Sequence, residues 1–321
     1  MQIGHQAAQN ARLAAGVFIL VLLSGCASLF PQTAVLRDGL PSGLPQSMEL
    51  RQVPFFAQDE YQCGPAALAT VLAAAGAKVT PDDLVSQVYI PERKGSLQVE
   101  MLAAARRQGM VSYQLAPRFE DLLREIAAGN PVVVLQNLGL RDGWHYAVAV
   151  GYDYDSAELV LRSGETERYI MRFWTHEFVW RRSGYWAMVA LPPDRIPATA
   201  DESRWLTAVA ALERAGNAKA ARTAYERFLD RWPANVNAAV GLANTQHTLG
   251  DLRAAEQVLR DAEKRDPQSV IVLNNLAQTL SDQGRDTEAL PVIERAVTLG
   301  GPFAAAVAKT REDIVRKIGK R

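Results

Sequence analysis

Over residues 65–75 nearly every position is small, apolar or a strong helix former, and Gly76 follows where a helix would end. Pro65 suits a first helical turn, and Gly64 tolerates the extended geometry forced on a pre-proline residue. The pattern predicts a mostly buried helix with Cys63 just before its N-terminus. Thr80-Pro81-Asp82-Asp83 reads as an N-cap, a first-turn proline and two acids on the positive dipole end, opening a helix that runs to Val88. Leu97, Met101, Leu102 and Ala105 share one face of a helix over about 96–108, which Gly109 ends. An amphipathic helix over 119–128 stops at Gly129-Asn130. Strands are predicted over 111–115, 131–135, 145–152, 159–162, 167–173 and 185–191, with a short helical piece over 175–181. Residues 51–56 read as a short edge strand. Helices early and antiparallel strands late predict an α+β domain over 51–192, followed by a proline-containing linker over 193–201.

Residues 202–301 follow a different rule. Gly216, Gly250 and Gly284 lie 34 residues apart, as do Ala221, Ala255 and Ala289. Trp205, Ala239 and Leu273 keep the same interval, and so do Tyr225, Leu259 and Ile293 and the pair Pro233 and Pro267. Three register-matched units with a small residue between two helices resemble the tetratricopeptide repeat, which implies an all-α solenoid. The segment 302–321 is expected to form a last helix covering the apolar face of the third repeat.

At 321 residues the chain is long enough for two domains, and its 35 basic and 35 acidic residues argue against a nucleic-acid partner. Near the start, Arg12 precedes the apolar run Leu13-Ala14-Ala15-Gly16-Val17-Phe18-Ile19-Leu20-Val21-Leu22-Leu23, too short to span a bilayer comfortably. It reads as a signal peptide over 1–25. Leu23-Ser24-Gly25-Cys26 resembles the bacterial lipobox, which implies a lipidated Cys26 as the mature N-terminus and attachment to a membrane through it. With Ala27 and Ser28 following and no Asp, the same resemblance implies the outer membrane facing the periplasm. Residues 26–50, rich in Pro and Gly and without periodicity, read as a lipidated tether. With Cys26 blocked, Cys63 is the one thiol left in an oxidising compartment. Four His and two Cys assemble no convincing zinc cluster, and no cofactor is implied.

An unpaired thiol at a helix N-terminus, where unpaired N–H groups favour an anion, is expected to ionise more easily than a free one. A thiolate nucleophile needs a base and oxyanion donors. His145, within a regular strand pattern after Gly143-Trp144, is the candidate base; His176 is better explained by helix capping. Gln58, the run Cys63-Gly64-Pro65-Ala66-Ala67-Leu68-Ala69, Gly129-Asn130-Pro131-Val132-Val133-Val134 and Trp144-His145-Tyr146-Ala147-Val148-Ala149-Val150-Gly151-Tyr152-Asp153 together resemble the bacteriocin-processing, double-glycine-leader cysteine peptidases. The resemblance implies a papain-like fold over about 51–192, Cys63 as nucleophile, His145 as base and a preceding Gln as oxyanion donor. The family places that Gln where this chain has Ala57, leaving Gln58 one position off and Gln62 beside the Cys. It also ends the strand after the His strand in an Asp that orients the His, and here Ser163 stands there, with Glu165 nearby. A hairpin turning near Asp155 puts 163–165 across from His145, while Asp153, eight residues along the strand, lies roughly 26 Å away. The implied activity is hydrolysis of a peptide or protein in the bacterial envelope, with the repeats holding a protein partner or substrate. A degenerate fold that binds without cutting, or an acyl transfer to an amine, fits the same residues.

Overall fold

The computed structural model describes residues 29–58, 62–139 and 143–320. The signal-peptide and lipobox readings, Cys26 included, lie outside the described residues. The chain divides into two compact units, one of residues up to Met101 with Gln114–Val189, the other of Leu102–Tyr113 with Ala190–Arg321.

Residues 31–191 build an α+β domain. Helix α1 (Pro31–Asp38) and strand β1 (Ser47–Glu49) open it, followed by α2 (Cys63–Ala74), α3 (Pro81–Val88), the small ribbon β2 (Tyr89–Ile90) and β3 (Gly95–Ser96), and α4 (Gln98–Arg107). Then come β4 (Val111–Gln114), α5 (Phe119–Ala127), β5 (Val132–Asn137), β6 (Trp144–Asp153), β7 (Glu158–Ser163), β8 (Thr166–Arg172), α6 (Phe173–Trp180) and β9 (Ala187–Leu191). The sheet order is β4-β9-β5-β6-β7-β8, with β1 also paired to β6. The β1–β6, β5–β6, β5–β9, β6–β7 and β7–β8 pairs are antiparallel.

Helices α2, α3 and α5 follow from their local sequence. Thr80 and Asp83 close a capping box on α3, with the Thr80 N–H donating to Asp83 Oδ2 at 2.8 Å. Helix α2 is apolar nearly all round and is buried from Gly64 to Leu72, packed against β6. Helix α5 turns Phe119, Leu122, Leu123 and Ile126 inward, and Phe119 meets Phe173, His176 and Trp180 at ring-centroid distances of 5.0, 5.4 and 5.9 Å.

Two expectations for the N-terminal stretch change. The part of the expected tether beyond Phe30 is not free chain: α1 docks on α6, and β1 joins the sheet. Neither element is long enough to show periodicity, so tertiary contacts decide both. Residues 51–56 form no strand. Pro54 has no N–H to give a ladder, and the Val53 carbonyl is taken instead by the buried guanidinium of Arg162, Nη2 donating at 3.2 Å.

Strand β6 is shared along one edge. Strand β5 pairs with it from Trp144 to Ala149, and β1 takes over from Gly151 to Asp153. At the handover the Leu50 N–H donates to the Val150 carbonyl at 2.8 Å. Position 151 must be glycine for this approach, since a Cβ there would stand 2.7 Å from the Met48 carbonyl oxygen.

In the second unit, helices α7 (Glu202–Arg214), α8 (Ala218–Arg231), α9 (Val236–Thr248), α10 (Leu252–Arg265), α11 (Val270–Asp282) and α12 (Asp286–Leu299) form three consecutive pairs, and α13 (Ala304–Ile318) packs on the last. Gly216, Gly250 and Gly284 sit in the turns within the pairs with φ of 86°, 82° and 78°, a left-handed geometry that favours glycine. The small Ala221, Ala255 and Ala289 are fully buried, letting paired helices approach closely. Caps repeat as well: Asp201 and Asn235, one period apart, accept from the N–H groups of Arg204 and Ala238 at 2.9 and 2.8 Å. Tyr113 joins this unit by an edge-on contact with Trp205, centroids 5.8 Å apart, and its hydroxyl donates to the Thr199 carbonyl.

Gly151→Ala is expected to push β1 off β6 and to destabilise the domain by about 1–3 kcal/mol. Hydrogen exchange checks this directly, because protection of the Leu50 amide should be lost first. Unchanged protection there would contradict the register.

Candidate active site

Cys63 is the first residue of α2 and is half-buried. Gly64 follows because β3 crosses directly over it: a Cβ at 64 would stand 2.2 Å from Ser96 Oγ and 2.5 Å from Ser96 Cβ. Ser96 is fixed in turn by the Tyr146 hydroxyl, which donates to its carbonyl at 3.2 Å. The start of α2 is thus wedged between the β2–β3 ribbon and strand β6.

The register of β6 and β7 prepares the other half of the site. From the turn, Asp153 pairs with Glu158, Tyr152 with Leu159 and Gly151 with Val160; then the register shifts, so that Ala149 pairs with Leu161 and Val148 with Arg162. Val150 is the extra residue of a β-bulge. Continuing the shifted register sets Ser163 opposite Ala147, on the same face as His145, because side chains alternate along a strand. His145 and Ser163 are diagonal neighbours, and His145 Nε2 lies 2.9 Å from Ser163 Oγ.

The β6–β7 pairing stops at Val148, whereas β5 follows β6 to Trp144, so the first residues of β6 have an edge that β7 leaves open. In an antiparallel strand the N–H and C=O of one residue point the same way. Tyr146 uses both. Its N–H approaches the Cys63 sulfur, and its carbonyl accepts from Gln58 Nε2 at 3.5 Å. Gln58 is held by its own N–H, which donates to the Gly164 carbonyl at 3.3 Å. Cys63 and Gln58 therefore meet the peptide group of Tyr146, and the His145–Ser163 pair is built from the neighbouring residue of β6. Residues 59–61, between Gln58 and Gln62, lie outside the described residues. Gln62 is the N-cap position of α2 without a side-chain cap bond. Glu165 is exposed. Asp153 belongs to the distant turn, where its Oδ1 accepts from the Ser156 N–H at 2.9 Å and its carboxyl is held below the usual range by that bond.

The expected easy ionisation of Cys63 is corrected by its surroundings. Burial pushes the thiol above its ordinary value, and the N–H groups of Tyr146, Gly64 and Cys63 itself recover only part of the loss. A charge at a helix start gains from dipole and donors, but removal from water costs more here. The Tyr146 phenol is also pushed up, chiefly by its own burial and further by the Cys63 charge.

A cleft of about 750 Å3 opens at Cys63, with Leu97, Leu135, Trp144 and Tyr146 among its apolar lining and Arg93, Lys94 and Arg182 its cations. Its Ser96 wall and basic residues could not be found from the sequence, because the two-residue strands β2 and β3 carry no periodic signal. Among the described residues no group of His, Cys, Asp and Glu is placed to hold a metal ion.

His176 is not a cap. It lies fully buried inside α6, its Nδ1 3.0 Å from Gln136 Nε2 and its Nε2 without a partner among the described residues. Burial drives its pKa down to about 3. Between an ordinary histidine's 6.5 and about 3 the unfolded chain therefore binds a proton that the folded chain does not.

Stability is accordingly expected to be full above pH 6.5 and to fall as the pH drops below it, by up to about 1.4 kcal/mol per pH unit from this group. Urea midpoints at about pH 7 and about pH 5 check it, with His176→Gln expected to show a flatter acid limb. Gly64→Ala is expected to displace Ser96, costing about 1–3 kcal/mol and the geometry at Cys63. Adding Ser96→Gly should recover most of that loss, and a strictly additive double variant would contradict the close approach.

Residues 50–186 match the sequence model of the Peptidase_C39 like family, and residues 206–270 and 248–305 match that of the tetratricopeptide repeat. No curated protein matches the chain significantly. Among solved structures, a C39-like peptidase from Bacillus anthracis is 17% identical, aligned over 46% of this chain and 98% of its own with a TM-score of 0.39. The TPR2B domain of yeast Sti1, in its complex with pHsp70, is 16% identical over 36% of this chain and 97% of its own, TM-score 0.35. The Yersinia enterocolitica type III secretion chaperone SycD, in complex with a peptide of the translocator YopD, is 16% identical over 37% of this chain and 94% of its own, TM-score 0.34. The chain thus carries a Peptidase_C39-like domain over residues 50–186, followed by tetratricopeptide repeats over 206–305.

Proposed function

We propose that this chain is a membrane-anchored cysteine peptidase that cleaves a peptide or protein in the bacterial envelope, lipidated on Cys26 and facing the periplasm from the outer membrane. The observation that carries the catalytic reading is the 2.9 Å pair of His145 Nε2 and Ser163 Oγ, one residue from the Tyr146 N–H that approaches the Cys63 sulfur. With Nε2 on the serine, Nδ1 is the ring nitrogen that takes the thiol proton. The raised thiol implies a neutral resting state, in which deprotonation accompanies attack instead of preceding it. The sulfur then adds to the peptide carbonyl, the oxyanion is met by the Cys63 N–H and Gln58 Nε2, and the imidazolium protonates the leaving amine. Water, deprotonated by the same imidazole, releases the acyl group. Gln58 exchanges a long 3.5 Å bond to the Tyr146 carbonyl for the oxyanion. Ser163 holds the ring in place but stabilises imidazolium less than a carboxylate would.

A second reading, a peptide-binding scaffold that no longer cuts, draws on two observations: the third position is a hydroxyl, and burial opposes the thiolate. In either case the repeats offer a polar groove within the second unit for an extended partner, with Asn244, Asn275 and Gln278 among its lining.

Cleavage of a reporter peptide is expected to vanish in Cys63→Ala, to fall modestly in Ser163→Ala, to stay unchanged in Asp153→Ala and to rise in Ser163→Asp. Alkylation of Cys63 near neutral pH should be at least about tenfold faster in the wild type than in His145→Ala. Equal alkylation, with peptide binding but no turnover, would establish the scaffold reading. An Asp153→Ala protein as inactive as Cys63→Ala would sink the assigned orienting role of Ser163.

A further inference from the structure

The chain enters the first domain at one rigid point. At the start of α1 the N–H groups of Gln32 and Thr33 donate to Glu177 Oε1 and Oε2 at 3.0 and 2.7 Å, so a fully buried carboxylate caps the helix dipole. The Gln32 side chain accepts from the Phe119 N–H and donates to the Pro117 carbonyl at 3.1 Å. Arg181 Nη1 donates to the Leu29 carbonyl at 2.7 Å. The Phe30 ring stands edge-on to Trp174 and Phe178, with centroids 5.8 and 6.2 Å apart. Nothing in this arrangement is a loose tether.

It assembles an unusual outer face. Leu29 is 48% exposed and Trp174 52%, and Phe30 and Phe178 lie beside them. The guanidinium groups of Arg181 and Arg182 stand 5.0 and 4.6 Å from the Phe178 ring centroid. Trp174, Phe178 and Arg181 follow one another at helical spacing, so this is one side of α6 and its extension. Tryptophan, phenylalanine and leucine rimmed by arginine is the composition of a surface that sits in a lipid headgroup layer, with apolar rings inward and guanidinium groups on phosphates.

The position of Cys26 selects this occupant. Leu29 follows it by three positions, so their Cα atoms can be no more than about 11 Å apart. With acyl chains on Cys26 inside a bilayer, Leu29 and the face around it are held at that bilayer's surface. We propose that this face docks on the membrane that anchors Cys26, its aromatic side chains entering the headgroup layer and Arg181 and Arg182 pairing with anionic phospholipid. The inference rests on the lipidation reading for its anchor and adds a second, non-covalent contact that orients the domain. Because Arg182 also lines the Cys63 cleft, docking sets that cleft beside the bilayer.

The test uses the full-length protein, purified from membranes and reconstituted in phosphatidylethanolamine–phosphatidylglycerol vesicles with plain or brominated acyl chains. Tryptophan emission of the wild type is expected to be quenched by the brominated lipid. Trp174→Phe, which keeps an aromatic ring at the site, should lose most of that quenching although five other tryptophans remain. Equal quenching in both proteins, or none in the wild type, overturns docking, including the case in which the face instead receives a protein partner. The intact N-terminal mass of the same preparation reads the anchor separately. An acylated chain with Trp174 unquenched sinks docking and leaves the anchor standing; an unacylated chain with Trp174 quenched does the reverse.

Discussion

One displaced residue governs which face of this domain carries Ser163 together with His145. Without the bulge at Val150, the register that begins at Asp153 and Glu158 would carry Ser163 to a position opposite Val148, on the face turned away from His145. The extra residue reverses that parity. It also marks the point on the opposite edge of β6 where β5 ends and β1 begins, which the absence of a side chain at Gly151 permits. From β1 the chain runs through Val53, tied to Arg162, to Gln58, tied to Gly164. The irregular middle of β6 thereby helps place both the Ser163 hydroxyl on His145 and the Gln58 amide on the Tyr146 carbonyl.

The electrostatics of the site follow from the same crowding. Packing α2 against β6 and under Ser96 brings the Tyr146 N–H to the sulfur, and it also excludes the water that a thiolate needs. Donors and desolvation arrive together and oppose each other, and desolvation wins. His176 shows the same penalty: buried among Phe119 and Trp180, it stays neutral.

The repeats are organised by a different constraint. Each pair of helices must bury a face that it cannot cover alone, so small residues recur where helices touch and larger ones where they fill. At Gly241 even a Cβ would collide with the Tyr225 ring, at 2.3 Å. Val307 and Ile314 of α13 join the core formed with Leu273, Leu276 and Ile293, closing the end of the stack. On the other side, Asn244 and Asn275 bond one another at 3.0 Å and His247 lies 2.9 Å from Asp282, leaving a polar surface.

The amino-acid sequence by itself determined whatever depends on near neighbours along the chain. The buried helix after Cys63, the strands after Asn130, the capping box at Thr80 and the 34-residue period could all be read from spacing, because helical turns, strand alternation and repeat packing recur at short intervals. Cys63 and His145 stood out as residue types in their local patterns, whereas Gln58 and Ser163 were pointed to only by the resemblance to the cysteine peptidases. Contacts between distant segments decided the rest. Helix α1 and strand β1 carry no pattern of their own and exist because Glu177 and β6 supply partners far along the chain. The face on which Ser163 lies was set by one bulged residue that no periodicity announces. The state of the Cys63 thiol was a contest between a local dipole and non-local burial, and burial depends on every element that closes over the site.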